Sequence, residues 1–147
     1  MSLKERIQED TKVAMRSKDK DRLATLRLIS AAIKQREVDE RISLDEKQII
    51  AVLERMLKQR RESITQYQAA NRDDLVAKET AELEIIQAYM PAALDDAAIN
   101  RLIDEAIAKT GAQSLRDMGK VMADIKDKAQ GRADMADISS RVKARLA

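Results

Sequence analysis

Apolar residues recur at intervals of three and four along nearly the whole chain, and the polar runs between them mark where one amphipathic helix gives way to the next. Leu3 and Ile7 stand four apart and Ala14 follows seven later, which predicts a first helix ending near Ser17. The run "SKDKD" interrupts the pattern before Leu23, Leu26, Ile29 and Ile33 resume it, giving a second helix over residues 20–38. Ser43 with Glu46 reads as a capping box, and Asp45 adds negative charge to the first turn. Ile49, Leu53, Met56, Arg60, Ile64 and Tyr67 continue at the same spacing, so a third helix is expected over residues 44–70. Asn71 and Asp73 break the run, and Leu75, Glu79, Leu83, Ile86 and Tyr89 mark a fourth helix. Met90-Pro91 is expected to end it, because proline cannot extend the hydrogen-bond ladder and biases the residue before it out of the α region.

Beyond Pro91 the periodic segments shorten. This predicts an N-terminal four-helix domain over residues 1–90 and a small three-helix domain over residues 94–147, with Met90 and Pro91 as the hinge. Asp95 is placed to cap a helix carrying Ile99, Leu102, Ile103, Ala106 and Ile107, with Gly111 in a left-handed position after it. Ser114 and Asp117 form a second capping-box pattern ahead of Leu115, Met118, Val121, Met122 and Ile125, and Gly131 follows that helix's last turn. Asp134 or Asp137 opens a last helix carrying Ile138, Val142 and Leu146.

Composition strengthens the all-α expectation: one proline and three glycines leave helix-forming residues at most positions. The absence of cysteine excludes disulfides, thiolate nucleophiles and cysteine-bound zinc. The absence of histidine removes the usual base near neutral pH and the commonest transition-metal ligand, so no metal or cofactor is expected. No apolar run reaches the ~18 residues that a membrane helix needs, and no signal-like run follows the first methionine, so neither a membrane nor an exported state is expected and the location reads as cytoplasmic.

The net charge of +2 demands no polyanionic partner, but its distribution is uneven. Residues 12–36 carry eight Lys/Arg against Asp19 and Asp21, and Lys120–Ala147 carries seven against four acidic residues. Acidic pairs such as Asp73-Asp74, Asp95-Asp96 and Glu82 with Glu84 sit beside expected helix starts or on outer faces, where capping explains them. Glu79 lies within an apolar stripe, which points to a cross-bundle partner such as Arg60 or Arg22. In "RMLKQRRES", Lys58 and Arg61 suit a phosphate grip and equally suit surface pairing with Glu54 and Glu62.

The terminal cations Lys120, Lys126, Lys128, Arg132, Arg141, Lys143 and Arg145 are the stronger candidates for RNA phosphates, with solubilising charge as the alternative. Lys126 and Arg132 are both expected to be exposed. With no Phe or Trp, and with Tyr67 and Tyr89 on apolar stripes, stacking on unpaired bases has little support. Gly119 and Gly131 match neither a dinucleotide fingerprint nor a phosphate loop. Gly119 reads as a helix–helix contact or an RNA approach point, and Gly131 as a cap.

The segments "LATLRLISAAIK", "LKQRRESITQY", "KETAELEIIQAYMP", "MGKVMADIKDKAQGRAD" and "VKARL" together resemble the small bacterial YqeY-like family. Its second domain is similar to the tail domain of the B subunit of glutamyl/aspartyl-tRNA amidotransferase. The resemblance implies that Gly119, Val121, Met122, Gly131 and Ala133 are packing positions of a tRNA-body-binding helical module, with Arg132, Lys120, Lys126 and Lys128 among its polar positions. Ala133 is followed by "DMADIS" where the amidotransferase tail has Asn-Pro, which favours the stand-alone family. The resemblance also carries an association with carbon–nitrogen ligase chemistry using glutamine as amide donor, but the residues offer no phosphate loop, cysteine or serine–lysine arrangement for it. The expectation is a non-catalytic, tRNA-related accessory module, with tRNA or a tRNA-modifying or aminoacylation complex as partner and no DNA. An accessory subunit of a carbon–nitrogen ligase and a protein–protein interaction module are the alternatives.

Overall fold

A computed structural model describes residues 1–147 and shows seven α-helices and no strand. They are α1 (Leu3–Arg16), α2 (Lys20–Glu40), α3 (Glu46–Ala69), α4 (Asp73–Gln87), α5 (Asp96–Thr110), α6 (Met118–Ala129) and α7 (Met135–Leu146), with a 3-10 turn at Leu115–Asp117 leading into α6. The chain divides into two compact units, Met1–Met90 and Pro91–Ala147.

In the first unit α1 packs on α2 and α3, α2 on α3 and α4, and α3 on α4. Ile7, Leu26, Ile29, Ile49, Leu53 and Ile86 are fully buried at the centre, each contributing about 1.5–3 kcal/mol of apolar burial. Leu3, Ile7 and Ala14 form the buried face of α1, and Ser2 closes its start in a capping box with Glu5. The start of α3 departs from the sequence reading. Asp45, not Ser43, is the cap, and its box partner is Gln48. The reason lies in the preceding loop: the Glu37 carboxylate accepts the Leu44 N–H at 2.9 Å, tying residue 44 to α2 outside the helix. Leu44 and Ile49 then bury in the same core on either side of the cap, in hydrophobic-staple positions.

The end of α4 also differs from the proline-based reading, since the helix stops at Gln87. Continued to Met90, it would bring the Pro91 ring against the Gln87 carbonyl. The chain instead tightens, with Tyr89 N–H donating to Ile86 and Met90 N–H to Gln87 in i→i+3 turns. The buried Tyr89 ring is held there by its hydroxyl, which donates to Asp10 at 2.5 Å, and by the Arg6 guanidinium 4.9 Å above its face. Glu79 is not the partner of Arg60. The Arg60 Nε lies 3.4 Å from Glu82, one turn-forming step away on α4.

In the second unit all three helices touch one another. Ile103, Val121, Ile125, Ile138 and Val142 are fully buried between them. Asp95 caps α5, Gly111 takes the left-handed position after it at φ 67°, Ser114 forms its box with Asp117, and Asp134 caps α7. After α6, Gln130 (φ −58°, ψ 126°) and Gly131 (φ 78°) occupy the middle of a turn closed by Arg132 N–H donating to Ala129 at 2.9 Å. This is type II geometry, whose third position favours glycine, so Gly131 is set by the backbone.

Candidate nucleic-acid interface

The seven terminal cations do not form one face. Arg141 donates to Asp96 at 2.6 Å on α5 and lies 3.0 Å from Asp137 one turn back on its own helix. Asn100 accepts from the same guanidinium at 3.4 Å, and Arg145 pairs with Asp104. Asp96, Asn100 and Asp104 are spaced by four on α5, as are Asp137, Arg141 and Arg145 on α7, so two matched rows close the α5–α7 seam. Lys128 shares Asp124 with Lys109, at 3.4 and 3.0 Å. The hydrogen bond from the Lys109 ammonium holds the Asp124 carboxyl below the ordinary carboxylate range, and the Lys128 charge adds to it.

Arg132 corrects a second expectation. It is half-buried, its Nε donates to the Ala92 carbonyl at 3.0 Å, and its own carbonyl accepts Leu94 N–H at 2.7 Å. The side chain expected to greet RNA instead fastens the segment after Pro91 to the α6–α7 turn. Gly119 is also exposed, and a Cβ there would meet nothing within 4 Å, so helix–helix packing does not require glycine. Val121 is fully buried, while Met122 and Ala133 are half-buried against the same core.

Lys120, Lys126 and Lys143 remain exposed. Lys120 sits near Asp117, whose carboxyl is lowered mainly by the Gln113 N–H and to a smaller degree by that lysine. Lys126 and Lys143 form no ion pair. Their positions follow from helix geometry, at about 100° per residue. On α6, Asp124 and Lys128 mark the flank toward α5 and Val121, Ile125 and Ala129 the buried face, which leaves Met122, Lys126 and Gly119 on the flank toward α7. On α7, Arg141 and Arg145 mark the flank toward α5, and Lys143, two residues from each, lies on the opposite flank with Ser139 and Ala136. The two unpaired lysines therefore border one groove between α6 and α7, with small residues along it. Such a groove lets a phosphate backbone approach closely and meets it with two ammonium groups and no competing carboxylate.

The matched rows were visible in the sequence as Asp137-x-x-x-Arg141 and the spacing of Asp96, Asn100 and Asp104, but only the parallel run of α5 and α7 brings them into contact. Among the acidic pairs, Asp95 is a cap and Asp74 accepts from Arg72 at 3.2 Å. Lys58 and Arg61 are exposed on α3.

The arrangement can be set beside known proteins. A family model described as "Yqey-like protein" matches residues 4–146. The chain belongs to that family. Its relatives include "Altered inheritance of mitochondria protein 41, mitochondrial" of Eremothecium gossypii, 41% identical over a match covering 69% of this chain and 56% of that protein. The protein of the same name in Pyrenophora tritici-repentis is 33% identical, over 84% of this chain and 71% of its own length. That of Saccharomyces cerevisiae strain YJM789 is 33% identical, over 79% and 66%. The pairwise match thus spans little more than half the length of the first of these relatives. Their names overturn the cytoplasmic expectation. No helix of the chain is long and apolar enough to cross a membrane.

Proposed function

We propose that this Yqey-like chain is a non-catalytic module that binds structured RNA of the tRNA class through the outer groove between α6 and α7. The observation that carries the reading is the sorting of the terminal cations: four of the seven are engaged within the fold, whereas Lys126 and Lys143 flank a groove lined by Gly119, Ala136 and Ser139. The resemblance to the amidotransferase tail supplies the substrate class. Backbone-led binding is expected, since the groove offers ammonium groups and no aromatic ring.

Within this reading Met1–Met90 is a four-helix domain and Pro91–Ala147 a three-helix domain, joined at Met90-Pro91, and each folds as its own unit. The binding test is a titration of tRNA, duplex RNA and heparin against wild type and Lys126→Gln/Lys143→Gln protein at several salt concentrations. The reading expects preference for tRNA and weaker binding by the variant. Equal weak binding to all three probes, unchanged in the variant, would refute it and favour an interaction module.

A further inference from the structure

The chain's largest local excess of positive charge lies in the first unit, outside the groove described above. Lys12, Arg16, Lys18, Lys20, Arg27 and Lys34 are all exposed and none enters an ion pair. Within the hairpin Lys4 pairs with Glu37 and Arg36 with Glu40, and outside it Arg60 pairs with Glu82 and Arg72 with Asp74, which leaves the run from Lys12 to Lys34 as the unit's densest stretch of unneutralised cations.

Their placement is ordered. Gln8 from α1 and Ser30 and Lys34 from α2 line an open cavity of about 290 Å³ between the two helices, which fixes the flanks that face each other. Lys12 stands one turn beyond Gln8 on the same flank of α1, and Arg27 stands three residues before Ser30 on the facing flank of α2. Lys20, Arg27 and Lys34 recur every seven residues, so they form a row with a spacing of about 10.5 Å along α2. The two helices thus bring like charges to one groove, with the uncharged donors Gln8 and Ser30 between them. The Lys4–Glu37 pair, at 3.0 Å, closes the end away from the hairpin turn.

We propose that this α1–α2 groove is a second phosphate-binding surface, which holds the backbone of a structured RNA. The regular row of cations with neutral donors between them suits a repeating phosphodiester. A helix lying in an anionic membrane surface would pair its basic face with a continuous apolar one. The exposed apolar residues of the hairpin are scattered, Val13 and Met15 on different flanks of α1 and Leu28 and Val38 ten residues apart on α2, so they build no such face. The choice of RNA over DNA rests on the reading of the second unit; the phosphate chemistry does not.

The test uses the full chain and compares wild type with Lys12→Gln/Arg27→Gln/Lys34→Gln and with Arg41→Gln/Arg55→Gln/Lys78→Gln, which removes the same charge from exposed positions elsewhere in the unit. Probes are tRNA, a DNA duplex of similar length and vesicles of phosphatidylserine. The groove variant is expected to lose at least about tenfold in tRNA affinity, its log–log salt slope falling by roughly 0.7–0.9 per lost contact, with the control little changed. The single variant Arg27→Gln, expected to lose one contact's worth of slope, serves the same purpose if the triple variant loses helical content. Equal losses in groove and control variants, an unchanged groove variant, or wild-type binding to vesicles but not to nucleic acid would each overturn the proposal. A loss confined to Lys126→Gln/Lys143→Gln would overturn it while leaving the α6–α7 reading intact, and a loss confined to the α1–α2 variants would do the reverse.

Discussion

The α1–α2 hairpin and the α5–α7 trio are both rich in cations, yet they use them differently. In the trio, Arg141 and Arg145 face a row of acceptors on α5, Lys128 shares Asp124, and Arg132 holds backbone carbonyl and chain segment together. In the hairpin, Lys12, Arg16, Lys18, Lys20, Arg27 and Lys34 reach solvent outside any ion pair, while Arg22 is half-buried. Of the seven cations in the terminal stretch the fold therefore engages four, while the eight at residues 12–36 leave six exposed and outside any ion pair. Counting charges locates a region; pairing determines what it can bind.

The comparison breaks most severely if the two units do not fold separately. Ile125 is fully buried in the small core of the second unit, so Ile125→Ala is expected to cost about 2–5 kcal/mol. Urea unfolding followed by circular dichroism should show the variant losing a minor share of its helix early, with α1–α4 melting as in wild type. A single transition shifted as a whole would show that the units are coupled.

A smaller effect sharpens the contrast between paired and unpaired cations inside the first unit. Arg60 and Glu82 retain only 13% and 16% of their side-chain exposure, and the buried Arg60 Nε has no hydrogen bond of its own. Glu82→Ala, which leaves that guanidinium without its carboxylate, is expected to destabilise by roughly 1–3 kcal/mol in a denaturant titration. Lys12→Gln should leave the midpoint within the usual scatter of a surface change, about 0.5 kcal/mol. Comparable losses in the two variants would erase the distinction.

Smaller still is the effect of pH at Tyr89. Burial, with the hydrogen bond to Asp10 behind it, pushes the phenol from its ordinary value of 10.0 up to about 12. Because the folded-state value is the higher one, the stabilisation is complete below pH 10 and is lost as pH rises toward about 12. Absorbance titration of Tyr67→Phe protein, in which Tyr89 is the remaining tyrosine, should place its ionisation near that upper value, and Asp10→Asn should lower it. A midpoint near 10 in the Tyr67→Phe protein would contradict the buried, bonded geometry.

The helices were legible because nearly every buried position obeys a three-or-four spacing: Leu3, Ile7 and Ala14 on α1, or Ile138, Val142 and Leu146 on α7. Caps depended on tertiary context. Asp95 and Asp134 announce themselves, but Asp45 displaced Ser43 because Glu37, seven residues before Leu44 in the last turn of α2, captured the intervening N–H. The site was less legible for the same reason. The basic residues could be named from sequence, but whether Arg141 is a free charge or a strut depends on which helix lies beside α7, and periodicity does not carry that information.

The most direct test of the central claim, that binding runs through the cations the fold leaves unpaired, is the salt dependence of tRNA affinity in two double variants. Lys126→Gln/Lys143→Gln is expected to lower the log–log slope by roughly 1.4–1.8, or 0.7–0.9 for each phosphate contact, without moving the melting temperature. Arg141→Gln/Arg145→Gln removes the same charge from the α5–α7 seam and should lower the melting temperature while keeping the slope. The reverse pattern, with the slope lost in the arginine variant and kept in the lysine variant, would contradict the account.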